Sequence, residues 1–96
     1  MRRSETLNIS EIISSLLKEQ GLEDKLHENR LINSWEDLLG RTIARSTRSL
    51  YIKERVLFVH ISSSVVKHEV MMIRDDLVKR LNEKAGKNVI DKIVLR

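Results

Sequence analysis

Cysteine and proline are absent from this 96-residue chain, and it carries only one Trp, one Tyr and one Phe. Without cysteine there is no disulfide scaffold, no thiolate metal site and no cysteine nucleophile. With so few aromatics, the core has to be aliphatic. Glycine is scarce too: Gly21, Gly40 and Gly86 are all there are. Each stands where an apolar helical stripe ends, so no glycine-rich phosphate loop can be built. The longest apolar runs, Val56 to Val59 and Val70 to Ile73, fall far short of the roughly 20 residues of a membrane span. Met1 to Ser10 lacks the apolar segment of a signal peptide, so the cytoplasm is the expected location, with no membrane partner.

What is present is a hydrophobic share of 41% with 33% charged residues, the balance of a soluble globular protein. The length suits one domain with a modest core. A formal charge of +4 and a pI near 9.7 make an anionic partner plausible, nucleic acid before membrane. Catalytic chemistry finds little support. His27, His60 and His68 are scattered, with no i, i+4 His pair, so no metal ligand set is expected. Asp75-Asp76 and Glu36-Asp37 are helix neighbours that point about 100° apart, so they do not converge as an acid/base pair. Ser62-Ser63-Ser64 sits where a strand hands over to a helix and reads as capping residues, without a G-x-S-x-G elbow. The expectation is a protein with no catalytic residues, no metal, no cofactor and no enzymatic activity.

The centre of the chain is Arg48 to Ser64. Leu50 and Ile52 alternate with Ser49, Tyr51 and Lys53; Leu57, Val59 and Ile61 alternate with Phe58, His60 and Ser62. This is the period of two half-buried strands joined at Glu54-Arg55. Such a hairpin sets Ile52 against Leu57 and Leu50 against Val59 on an aliphatic face. Tyr51 then meets Phe58 on the other face.

Around the hairpin the periodicity is helical. Residues 1–7, with Arg2 and Arg3, read as a flexible basic arm, and residues 8–96 as one domain. Asn8 with Glu11 forms a capping box, Leu7 with Ile12 a staple, and Ile9, Ile12, Ile13, Leu16 and Leu17 a stripe that Gly21 ends. A second helical region carries Leu22, Leu26, Leu31, Trp35, Leu38 and Leu39, with a break expected near His27 to Asn29 and a stop at Gly40. Ile43-Ala44 lies in a short helical connector. After the hairpin one long helix is expected, with Val66, Val70, Ile73, Leu77 and Leu81 on its stripe and Gly86 at its end. Val89 to Leu95 reads as a last strand, with Ile93 and Leu95 on one face and Lys92 and Val94 on the other. The fold class is α+β, in the order α-α-β-β-α-β. A right-handed crossover makes the last strand parallel to a hairpin strand, giving a small mixed three-stranded sheet covered by helices on one face.

The uncovered face is the candidate site. Tyr51 and Phe58, beside Ser49, Lys53 and His60, have the composition of a platform on which unpaired bases stack. Taken alone, they read first as an ordinary cross-strand pair or a dimer contact. Arg41, Arg45 and Arg48 enter the hairpin, Lys53 and Arg55 lie at its tip, Lys67 opens the next helix and Arg96 closes the last strand. Together they could track a phosphate backbone, or simply keep the surface solvated.

As a set, Trp35, Leu39-Gly40, Ile43-Ala44, Thr47, Leu57-x-Val59-x-Ile61, Ser62-Ser63, Glu69, Leu77, Leu81-Asn82, Gly86 and Ile93-x-Leu95-Arg96 resemble the DciA family, from about Ile9 to Arg96. That resemblance implies a KH-like fold, DNA binding as an accessory of bacterial replication, and the replicative helicase as a partner. The sequence departs from the family at Val66, where members often have Trp. It ends at Arg96, where larger members continue into a basic tail implicated in the helicase contact, so a short form is expected. It also lacks the G-x-x-G loop associated with KH modules. The alternatives are a protein-interaction or dimerisation module using the open face, or an RNA-binding KH-like protein. Single-stranded against duplex DNA, and oligomeric state, stay open at this level.

Overall fold

The computed structural model describes residues 9–19 and 22–96. The expected arm, the Asn8 cap with its Leu7 staple and the Gly21 stop lie outside them. The elements are α1 (Ile9–Glu19), α2 (Glu23–Asn33), α3 (Trp35–Leu39), α4 (Arg41–Ser46), β1 (Thr47–Lys53), β2 (Val56–Ile61), α5 (Ser64–Met72), α6 (Arg74–Ala85) and β3 (Lys92–Leu95). The strands form one sheet in the order β1-β2-β3. β2 is antiparallel to β1 and parallel to β3, the mixed sheet that the α-α-β-β-α-β order requires.

The hairpin has the register read from the alternation: Ile52 opposite Leu57, Tyr51 opposite Phe58 and Leu50 opposite Val59. Glu54 and Arg55 both adopt positive φ, 50° and 65°, the type I′ geometry whose twist matches the flanking strands. At the far end Thr47 pairs with Ile61 while Ser49 pairs with His60, so Arg48 is the extra residue of a bulge. The bulge re-phases the strand. Thr47 turns towards the core, where its Oγ1 accepts from Trp35 Nε1 at 3.0 Å and donates to the Ile43 carbonyl at 2.8 Å.

One face of the sheet builds the core. Leu57, Val59 and Ile61 of β2 and Ile93 of β3 are buried with Leu31 and Trp35 from α2 and α3. Val66 and Val70 from α5, Leu77, Leu81 and Ala85 from α6, and Val89 and Ile90 complete the cluster. Leu50, Ile52 and Leu95 line it half-buried.

Three expectations need correction. The break in the second helical region falls at Ser34, not near His27 to Asn29. Ser34 is buried and its hydroxyl donates back to the Leu31 carbonyl at 2.7 Å, competing with the helical ladder. His27 stays inside α2, its Nδ1 2.6 Å from the Ala85 carbonyl at the end of α6. The single long helix after the hairpin is two, broken at Ile73, which is 45% exposed rather than part of the buried stripe. One straight helix over that stretch would run about 33 Å, whereas β2 spans about 20 Å. The break lets α5 cover β2 and α6 pack on α2 and β3. The last strand begins at Lys92 rather than Val89. Val89 and Ile90 enter the core as a loop held by Asn82, whose Oδ1 accepts from both backbone N–H groups while Nδ2 donates to the Ile90 carbonyl. α1 touches α2 but buries little of its stripe: Ile9, Ile12, Ile13 and Leu16 remain exposed, as do Leu22 and Leu26.

Candidate nucleic-acid interface

Strand pairing places nine side chains on the sheet face opposite the core, in three rows. Lys53, Val56 and Lys92 form one, and Tyr51, Phe58 and Val94 the second. Ser49 and His60 form the third with Arg96, whose backbone brackets His60 by bonding to Val59 and Ile61. Three of the nine are permanent cations and none is acidic. Ser49, Lys53, His60, Lys92 and Arg96 are exposed, and Val56, Phe58 and Val94 half-exposed, so no helix among the described residues closes over this face.

The middle of the face is a stack. The Tyr51 and Phe58 rings lie nearly parallel, 15° apart, with centroids 5.0 Å from each other. The Arg96 guanidinium carbon sits 4.9 Å from the Phe58 centroid, within cation–π range. A shallow depression of about 200 Å³ is lined by Ser49, Tyr51, Phe58, Val59, His60 and Arg96.

Of the residues singled out from the sequence, the sheet brings together Tyr51, Lys53, Phe58 and Arg96. Arg41 and Arg45 are exposed on α4, four apart and therefore on one side of it. With Arg48 at the bulge, they lead into the Ser49 end of β1. Arg55 has another occupation. Its Nε and Nη2 make a two-point pair with Asp91 at 3.0 and 2.9 Å, and its Nη1 donates to the Asn88 carbonyl. This hydrogen bond and the paired charge hold the Asp91 carboxyl below its usual value and push Arg55 further up. Lys67 is half-buried on α5, which packs on the core side, and is not one of the nine. Lys92 was not among the residues singled out, although the strand alternation had already put it on the same face as Val94. Its partnership across the sheet with Lys53, through Val56, needs the three-dimensional register. Among the described residues no three His, Asp or Glu side chains converge as a metal would require.

A family model described as "Dna[CI] antecedent, DciA" matches residues 8–95. The chain belongs to the DciA family. It is similar to a UPF0232 protein of Corynebacterium glutamicum (strain R), 23% identical over 86 residues, which are 90% of this chain and 48% of that protein. The chain thus spans about half the length of the curated relative it matches. In this DciA-family chain, the residues that carry the resemblance have structural work. Trp35, Ile43 and Thr47 form the relay that ties α4 and the bulge to α3. Asn82 holds the loop before β3. Ser63 Oγ caps α5 by accepting from the Val66 N–H, and Gly86 ends α6 at φ 90°. Glu69 is exposed, and nothing in the structure explains its place in the pattern.

Proposed function

We propose that this DciA-family domain binds single-stranded DNA across the open face of its sheet and so assists the replicative helicase. Membership of a non-catalytic, replication-associated family gives the setting. The observation that carries the reading is the face itself: Lys53, Lys92, Arg96 and His60 surround a solvent-exposed aromatic stack, with no carboxylate among the nine side chains. Phosphates contact Lys53, Lys92 and Arg96 on the face, and Arg41, Arg45 and Arg48 along the segment that enters β1. Lys67 adds long-range positive charge, whereas the charge of Arg55 is balanced by its pair with Asp91. This grip uses a sheet face where a KH module would use a G-x-x-G loop, a loop this chain does not have.

Two double reversals test the reading, Lys53→Glu with Lys92→Glu and Arg45→Glu with Arg48→Glu. All four sites are exposed, so melting temperatures stay within a few degrees of the parent. Each pair weakens binding to a labelled single-stranded oligonucleotide by at least about tenfold near 100 mM salt. Unchanged affinity in the first pair would remove the sheet face from the site; in the second, the α4 segment.

A further inference from the structure

We infer that the open face holds one unpaired base, stacked on the outer side of Tyr51 as a further layer of the Tyr51–Phe58–Arg96 stack. This rests on the reading that the face binds single-stranded DNA. The centroid separation of 5.0 Å at 15° is close to the spacing of about 4.8 Å between neighbouring strands. The two rings therefore stand on edge from β1 and β2 with their faces towards each other, rather than lying flat on the sheet. β2 is the central strand, so Phe58 has a neighbour on each side. Tyr51 stacks on its ring, and the Arg96 guanidinium carbon, carried by the residue that follows β3, lies 4.9 Å from the same centroid. Phe58 is thus enclosed by partners inside the sheet, and a base that stacks on it has to displace one of them.

Tyr51 differs because it stands on the edge strand. Among the described residues no strand lies beyond β1, and Tyr51 is 43% exposed. A base arriving from that side meets a ring already held upright by Phe58. Ser49 and Lys53 flank Tyr51 two residues away along β1, about 7 Å on either side. A hydroxyl and an ammonium group are thus placed for the phosphates adjoining the base. A duplex, whose bases are already stacked and paired, cannot present one this way without opening. The site selects a single strand by exposure of its bases rather than by their identity. Phe58 and Arg96 are positioning residues for Tyr51, with Arg96 also offering charge.

The experiment compares the full chain on two fluorescein-labelled oligonucleotides of equal length, one of thymidines and one with a run of abasic sites, by anisotropy at fixed salt. The parent binds the abasic strand about tenfold more weakly, and Tyr51→Leu, which keeps bulk on the strand, binds both strands equally at the weaker level. Tyr51→Trp restores the discrimination, which a purely structural role for Tyr51 would not predict. If the parent binds both strands equally, or Tyr51→Leu still discriminates, the stacking site is wrong while phosphate binding by the face stands. If neither strand binds at low salt, the DNA-binding reading itself falls, and the stacking site with it.

Discussion

Replacing Asn82 with Ala tests how the last strand is held in place. Asn82 is buried, and its side chain makes three hydrogen bonds to backbone: the Val89 N–H at 2.9 Å, the Ile90 N–H at 3.1 Å and the Ile90 carbonyl at 2.9 Å. Val89 and Ile90 are themselves buried, so alanine strands three polar groups in the core. At about 1 kcal/mol net per bond the cost is about 3 kcal/mol. Groups left wholly dry would cost more, but a groove of about 500 Å³ runs past Asn82 between Val78 and Asn88, and water from it offsets the difference. For a domain of this size, 3 kcal/mol lowers Tm by about 12 to 24 °C. Asn82→Asp keeps both acceptor bonds and sets a carboxylate oxygen against the Ile90 carbonyl, so it retains the loop but still destabilises. Circular dichroism melts with urea midpoints measure the difference. A Tm for Asn82→Ala within 4 °C of the parent would refute the assignment of Asn82 as the anchor of the segment leading into β3.

Three other outcomes follow from local geometry. Glu54 has φ 50°, a region that costs an ordinary L-residue about 1 kcal/mol or more and suits Asn better. Glu54→Asn therefore raises Tm by several degrees, and a fall would mean that the Glu54 side chain stabilises the turn. Trp35→Phe keeps most of the ring volume but leaves Thr47 Oγ1 without its donor, costing about 1 to 2 kcal/mol by urea denaturation. A loss no larger in the parent than in a Thr47→Val background would break the relay. Asp91 has its pKa lowered by Arg55, so the pair's contribution is complete above the ordinary carboxylate range and is lost as pH falls through the depressed value. The Tm difference between the parent and Asp91→Asn should be constant from pH 7 to 5 and close at strongly acid pH. A difference that persists there would show that charge pairing is not its source.

Much of the fold was legible because the hairpin is self-announcing. A strict two-residue period on both sides of Glu54-Arg55 permits a single register, and that register alone puts Tyr51 against Phe58. The parallel pairing of β3 followed from the handedness of the crossover. Less legible were the places where a side chain competes with a regular element. The Ser34 hydroxyl breaks a helix whose apolar stripe runs on unbroken. Asn82 pulls Val89 and Ile90 into a loop although both residues have strand character. Ile73 fits the helical stripe by spacing, yet the short sheet beneath forces a turn at that residue. On the candidate site, the composition of the open face could be read from alternation. That Arg96 covers Phe58, that Arg55 is held by Asp91, and that Lys92 faces Lys53 across Val56 depend on relative placement of strands that no local pattern encodes.

The proposal that the sheet face grips a phosphate backbone is tested most directly by the salt dependence of affinity for single-stranded DNA, with duplex DNA and RNA of the same sequence alongside. Six exposed cations, Arg41, Arg45, Arg48, Lys53, Lys92 and Arg96, can each neutralise a phosphate, at about −0.7 in log–log slope per contact on single strands. The account predicts a slope between about −3 and −5, with the single strand bound more tightly than the duplex. Absence of binding to single-stranded DNA at low salt would contradict it and leave the open face as a surface for docking protein.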